Sequence, residues 1–210
     1  MEILSIARAE KKPGKFIALF DDGTEIIVSA AQIADFGLYS GREMLDDEYA
    51  HLRNALMLSS SKARAVRILG NRNLSAREVE RRLVEKGEPQ EVARETVQWL
   101  ENIGAINDEE YAVAIAKHYC AKGYGTARIK DELFRRGIAR EMWDDALCSL
   151  DDTGEAAYDF LVKKLRGSRD KADLRRATDA LCRRGFSYEE ARSLISQYLE
   201  RLDENEEYNQ

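Results

Sequence analysis

The sequence of 210 residues contains little proline, histidine or cysteine. Only Pro13 and Pro89 could interrupt a helix, so nearly the whole chain is free to be helical. No stretch approaches the ~20 consecutive apolar residues that a membrane-spanning helix needs. The residues from Met1 to Ile6 also lack the basic and then apolar layout of a signal peptide. We therefore expect a cytoplasmic protein with no membrane partner.

The residue types that support catalysis are scarce and scattered. The three cysteines form no C-x-x-C pair, and we interpret them as reduced packing residues. His51 and His118 do not stand in a zinc-type cluster. Asp144 and Asp145 are adjacent in a predicted helix, where neighbouring side chains point in different directions. We predict a protein that is not an enzyme, with no catalytic residue, no cofactor and no metal.

A short pattern, Leu-x-x-Lys/Arg-Gly, occurs three times in the chain. It spans Leu83–Gly87, Leu133–Gly137 and Leu181–Gly185, and its glycines lie 50 and 48 residues apart. A constant period of this size indicates one supersecondary unit that is used repeatedly. The chain is therefore predicted to be an array of similar modules.

Helix signals within each period predict three helices per module. In the first module, one helix is predicted near Ser60–Leu69, and Ser75 with Glu78 forms a capping box for the second. Gly87 can take the left-handed conformation that ends this helix, and Pro89 suits the first turn of the third. Other predicted helix starts are Ser29 with Gln32, Asn107 with Glu110, and Ser187 with Glu190.

The N-terminal segment follows a different pattern. Ile3–Ala7, Phe16–Phe20 and Ile26–Val28 are suited to strands, and the Asp-Gly pair at Asp22-Gly23 is a strong hairpin signal. Three strands are about the minimum for a stable sheet. We predict a small three-stranded sheet that leads into a short helix.

Together these signals define a mainly α fold. Three tandem three-helix modules are expected to form an elongated, curved array behind the N-terminal sheet. The predicted bounds are 1–45 for the β-rich segment with its short helix, 46–106, 107–152 and 153–202 for the three modules, and 203–210 for an acidic tail.

The charge alternates with the same period, although the whole chain carries a net charge of −6. The net charge is +5 in residues 62–86, −6 in 87–116, +5 in 117–140, −7 in 141–162, +6 in 163–184 and −5 in 185–210. A recurring basic band suits a long, charged partner. The alternative is that helix surfaces must be charged somewhere and that neighbouring bands pair with each other. The candidate contact residues are Arg81, Arg82, Lys86, Arg128, Lys130, Arg135, Arg136, Lys163, Lys164, Arg175, Arg176, Arg183 and Arg184.

The motifs resemble those of a known family, the RecX proteins that regulate the bacterial RecA recombinase. The stretches that carry the resemblance are Ser75–Gly87, Ile103–Ala112, Gly125–Ile138 and Arg183–Ser187, in this order and spacing. The likeness extends from about Ile3 to Leu202 and includes the N-terminal hairpin. The net acidic balance departs from the family pattern, and it weakens the case for tight, independent DNA binding.

The resemblance implies a non-enzymatic protein that binds along the groove of the RecA filament on single-stranded DNA. Such proteins restrain the ATPase activity, strand exchange and filament growth of RecA in homologous recombination, DNA repair and the SOS response. We expect a monomer. Two alternatives stay open: a helical repeat protein that binds single-stranded or double-stranded DNA directly, and a helical scaffold for an unrelated protein.

Overall fold

The computed structural model describes residues 1–10, 12–70, 72–150 and 154–207, without the side chains of 205–207. The boundary predicted at 152/153 and residues 208–210 of the predicted acidic tail lie outside the described residues. The elements are β1 (Ile3–Arg8), β2 (Lys15–Phe20), β3 (Glu25–Ser29), α1 (Ala30–Asp35), α2 (Asp46–Leu69), α3 (Ala76–Glu85), α4 (Gln90–Asn102), α5 (Asp108–Cys120), α6 (Thr126–Arg135), a 3₁₀ turn (Arg140–Met142), α7 (Trp143–Cys148), α8 (Glu155–Leu165), α9 (Lys171–Arg183) and α10 (Tyr188–Glu207).

The three strands form the predicted sheet, which is antiparallel and has the order β1-β2-β3. Gly23 takes a φ of +83° in the turn between β2 and β3, which explains the Asp-Gly pair there. Phe20 and Val28 are fully buried and pack with Leu52 of α2. The sheet therefore shares its core with the helix that follows it.

Helix α2 starts earlier than the sequence pattern predicts, at Asp46 instead of near Ser60. Its first half contributes Leu52 to the core beneath the sheet, and its second half contributes Ala65 to the next core along the chain. Since each half faces a different core, the helix has no single apolar stripe along its length. It connects the sheet to the helices that follow.

Three similar modules follow the sheet, each with its own hydrophobic core. They consist of the second half of α2 with α3 and α4, of α5–α7, and of α8–α10. The leucine that begins each repeated pattern is fully buried in its module, and the glycine that ends it has a φ between +74° and +93°. The mainly helical fold with a small N-terminal sheet is confirmed, while the exact module bounds stay predictions.

A buried polar pair lies in the core of the first module. The Thr96 hydroxyl donates a hydrogen bond of 2.8 Å to the Ser61 hydroxyl, and both residues are fully buried. We expect Thr96→Val to lower the free energy of unfolding by about 1–2 kcal/mol, because Ser61 loses its partner. The double variant Ser61→Ala/Thr96→Val should regain most of that loss in urea unfolding. A double variant whose loss equals the sum of the two single losses would contradict the pairing.

Candidate partner-binding surface

The predicted contact residues lie mainly on the second helix of each module, which is α3, α6 or α9. Nine of them are exposed: Arg81, Lys86, Lys130, Arg135, Lys163, Lys164, Arg175, Arg176 and Arg183. The four that are partly buried are Arg82, Arg128, Arg136 and Arg184. The structure therefore separates the candidates into a solvent-facing group and a partly buried group.

Three of the exposed candidates form ion pairs on the surface of their own module. Arg81 lies 3.5 Å from Glu85, Lys130 lies 3.7 Å from Asp144, and the third pair is Arg176 with Asp173. Exposed pairs of this kind contribute only about 0–1 kcal/mol to stability. The basic side chains can therefore leave these partners at little cost when a stronger anionic partner arrives.

Arg184 joins the third module to the second. Its guanidinium donates hydrogen bonds to the carbonyl oxygens of Lys122 at 2.8 Å and Gly123 at 3.2 Å. It also lies over the rings of Phe160, at 3.8 Å, and Tyr124, at 5.0 Å. A charged group that has this many partners in the protein holds two modules together.

The backbone beside Arg184 reinforces the same junction. The Gly125 N–H donates to the Arg184 carbonyl at 2.9 Å, and the Ala127 N–H donates to the Gly185 carbonyl at 3.1 Å. These donors lie at the N-terminus of α6, where N–H groups lack partners within their own helix. The third module thus caps a helix of the second.

Arg136 has the equivalent position at the junction between the first two modules. Its carbonyl accepts a hydrogen bond from the Ser75 hydroxyl at the N-terminus of α3, and its guanidinium donates to Tyr111 and, at 3.0 Å, to Glu132. The Ala76 N–H donates to Asp108 of the second module at 2.9 Å. The Arg-Gly step of one module therefore docks on the second helix of the module before it, at both junctions.

Both ends of the array have local substitutes for this docking. The Lys86 carbonyl, which corresponds to that of Arg136, accepts a hydrogen bond of 2.9 Å from Arg64 of its own module. At the other end, the Asp170 carboxylate caps α9 by accepting from two N–H groups of its first turn. The first and last modules are closed in this way, as terminal repeats require.

The first junction changes the pKa of Asp108. Partial burial, together with the nearby Glu78 carboxylate, raises the pKa of Asp108, although the hydrogen bond from the Ala76 N–H acts in the opposite direction. The charged form is therefore disfavoured in the folded protein. The contribution of Asp108 to stability is greatest below the pKa of an unfolded aspartate and is lost as the pH rises through its raised folded value.

We expect Asp108→Asn to remove this pH-dependent loss. Asparagine keeps an oxygen that can accept the Ala76 N–H but carries no charge to desolvate. The variant should match the wild type at about pH 3 and be more stable than it at pH 7. Urea unfolding across this range checks the result. A variant that is less stable than the wild type at pH 7 would show that the carboxylate charge is favourable.

Within the described ranges, no group of three or more histidine, cysteine, aspartate or glutamate side chains is placed to hold a metal ion. In the same part of the chain, no helix combines the length and apolar character needed to cross a bilayer.

The fold defines a tandem three-helix repeat protein, in which each module docks on the one before it. Residues 62–100 match the first three-helix domain of RecX, and residues 107–147 match its second three-helix domain. The regulatory protein RecX of Xanthomonas axonopodis pv. citri is 32% identical over 126 residues, which cover 59% of this chain and 78% of the relative. The chain belongs to the RecX family of regulatory proteins.

Longer relatives and solved structures extend this likeness over most of the chain. The regulatory protein RecX of Bacillus subtilis (strain 168) is 28% identical over 211 residues, covering 98% of this chain and 80% of the relative. A crystal structure of regulatory protein RecX has a TM-score of 0.74, with 21% identity, and covers 95% of this chain and 98% of its own. RecX from Lactobacillus salivarius has a TM-score of 0.61, with 22% identity, and covers 69% and 97%. These two structures share the fold.

Proposed function

We propose that this protein regulates the RecA recombinase by binding along the RecA filament on single-stranded DNA. Bound there, it lowers ATP hydrolysis and strand exchange and limits filament growth. It acts as a cytoplasmic monomer and without catalysis of its own. Membership of the RecX family supports a regulatory role, and the resemblance noted in its motifs supports RecA as the partner.

The observation that carries the proposal is the repetition of exposed basic side chains on successive modules. Arg81 on α3, Arg135 on α6 and Arg183 on α9 all face solvent. A protein filament presents the same surface at regular intervals, and an array of similar modules can meet several of these surfaces at once. Charge complementarity at each contact would favour the correct partner and speed its encounter.

Arg136 and Arg184 take no direct part in this contact. The Arg184 guanidinium bonds across the second junction, whereas the Arg136 guanidinium bonds to Tyr111 and Glu132 within the second module. The Arg136 carbonyl accepts the bond across the first junction. Their role in the proposed function is to keep successive basic surfaces at a constant spacing. The contact itself falls to the exposed candidates.

The proposal is tested by titrating the protein into RecA that hydrolyses ATP on single-stranded DNA. The double variant Arg175→Glu/Arg183→Glu reverses two exposed charges on α9, and we expect it to need about tenfold more protein for half-inhibition. Arg8→Glu/Arg53→Glu is the matched control, because it makes the same change of net charge at exposed positions outside the candidate set. The control should inhibit as the wild type does.

Two results would contradict the proposal. One is a wild-type protein that leaves the RecA ATPase unchanged. The other is an α9 variant that inhibits at the wild-type concentration. Binding to single-stranded DNA without RecA, measured at low and high salt, tests the alternative of a direct DNA-binding protein, for which steep salt dependence is expected.

A further inference from the structure

Helix α6 exposes an aromatic side chain and buries a charged one, although an amphipathic helix usually does the reverse. Phe134 is 61% exposed, whereas the charged residue Glu132 in the same helix is buried. Val84 has the equivalent position on α3, three residues before the repeated glycine, and is 38% exposed. Large exposed apolar side chains that converge on one place are characteristic of binding surfaces.

The two side chains do converge, because both line a single groove between the first and second modules. The groove has a volume of about 580 Å³ and runs between α3 and the end of α6. Arg77 and Arg135 also line it, and the carbons of Arg77 pack against Gly137, where a Cβ atom would lie 2.6 Å from the Arg77 Cδ atom. Apolar and basic side chains from both modules therefore line the same groove.

The charges within the groove leave these two arginines unmatched. The three glutamates that line it have other partners: Glu85 pairs with Arg81, Glu80 pairs with Arg94, and Glu78 accepts from the N–H of Ser75. Among the described residues, neither Arg77 nor Arg135 forms an ion pair. Two free guanidinium groups favour a ligand that carries carboxylates, which they can bind in a bidentate manner.

The second junction lacks this combination. A shift of 50 residues, the spacing of the first two repeated glycines, places Ala127 where α3 has Arg77 and Asp131 where α3 has Arg81. A shift of 48 residues places Cys182 on α9 where α6 has Phe134. The basic and apolar groove is therefore specific to the first junction.

We infer that this groove binds an acidic segment of a protein partner, with one large apolar side chain of that segment seated between Phe134 and Val84. The flanking carboxylates of the segment bind Arg77 and Arg135 at the two walls. The identity of the partner as RecA rests on the proposed function, whereas the chemistry of the ligand rests on the groove alone.

A labelled peptide tests the groove without RecA. The probe is a fluorescein-labelled heptapeptide with one phenylalanine between two runs of three glutamates, followed by fluorescence anisotropy. We expect Phe134→Ser/Arg135→Glu and Val84→Ser/Arg77→Glu to weaken binding at least tenfold, and replacement of the peptide's phenylalanine by serine to do the same. Ile103→Ser/Arg53→Glu is the matched control, since Ile103 is 56% exposed and lies outside the groove.

The possible outcomes distinguish a failure of the groove inference from a failure of the proposed function. If both groove variants bind the peptide as the wild type does, or if the serine peptide binds equally well, the inference is overturned. A wild-type protein that binds only a single-stranded oligonucleotide at this groove would overturn it as well. In the RecA ATPase titration, Val84→Ser/Arg77→Glu is the variant that separates the two, because neither residue is a candidate contact of the basic surfaces. If it inhibits at the wild-type concentration, the groove is overturned as a contact for RecA, while the inhibition itself upholds the proposed function.

Discussion

Replacing Gly185 with alanine should open the junction between the second and third modules. Gly185 has a φ of +93°, a conformation that is strained for any residue with a Cβ atom. An added Cβ would also overlap the backbone nitrogen of Arg128 on α6, and backbone atoms inside a helix cannot move aside. The two effects together should lower the free energy of unfolding by about 3 kcal/mol or more.

Gly87→Ala provides the matched control for this prediction. Gly87 ends the same repeated pattern with a φ of +90°, but an added Cβ would meet no atom within 4 Å. Only the conformational strain should remain, at about 1–2 kcal/mol. Urea unfolding gives both free energies, and hydrogen exchange of the Ala127 amide reports on the junction directly, because that N–H donates to Gly185. Equal losses in the two variants would contradict a tight junction.

Replacing Arg184 with alanine should have the second-largest effect. The variant loses two charge-assisted hydrogen bonds to backbone carbonyls and two contacts with the faces of Phe160 and Tyr124. We expect a loss of about 2–3 kcal/mol in the free energy of unfolding. Hydrogen exchange should show the loss concentrated at the junction, while the isolated core of the third module stays protected.

Arg183→Ala is the natural comparison because Arg183 is adjacent, carries the same charge and is exposed. Its removal should change the free energy of unfolding by no more than about 0.5 kcal/mol. In the RecA ATPase titration, we expect Arg183→Ala to weaken inhibition while the protein stays as stable as the wild type. Arg184→Ala should both weaken inhibition and lower the free energy of unfolding. If Arg184→Ala were as stable as the wild type, Arg184 would not hold the second and third modules together.

Local features of the fold follow from the sequence because short-range interactions determine them. The capping boxes at Ser29, Ser75 and Ser187 form as predicted, with each serine side chain accepting from a backbone N–H in the first turn of its helix. The glycines that end the repeated pattern adopt positive φ values for the same reason, since only glycine takes this conformation without strain. Capping and chain reversal need no information from distant residues.

The roles of individual arginines could not be predicted in the same way. Arg183 and Arg184 are adjacent and contribute equally to the charge of their band, yet one faces solvent and the other lies between two modules. The distinction depends on carbonyl groups at Lys122 and Gly123, about 60 residues away in the chain. The periodic net charge of the sequence does not distinguish Arg183 from Arg184. A useful signal would have been their position, because at both junctions the residue directly before the glycine is the one that docks.

The sequence pattern also does not predict the groove at the first junction. Phe134 is next to the buried Leu133 in the sequence, and an apolar pair of this kind is typical of the core. Val84, Arg77 and Arg135 come together with it only when the second module docks on the first. A site that is divided between two modules requires the tertiary arrangement, although the recurring apolar residue at this position was visible.

We propose that all three modules contact the RecA filament through their exposed basic surfaces. This contact is tested by lysine acetylation, followed by mass spectrometry, with and without RecA filaments on single-stranded DNA. Exposed lysines are present in each module, at Lys86, Lys130 and Lys163, and also in the N-terminal segment at Lys12 and Lys15. We predict that the filament slows acetylation of the first three and leaves the last two unchanged. Protection confined to the N-terminal lysines, or no protection at any of the five, would contradict contact through the basic surfaces of the modules.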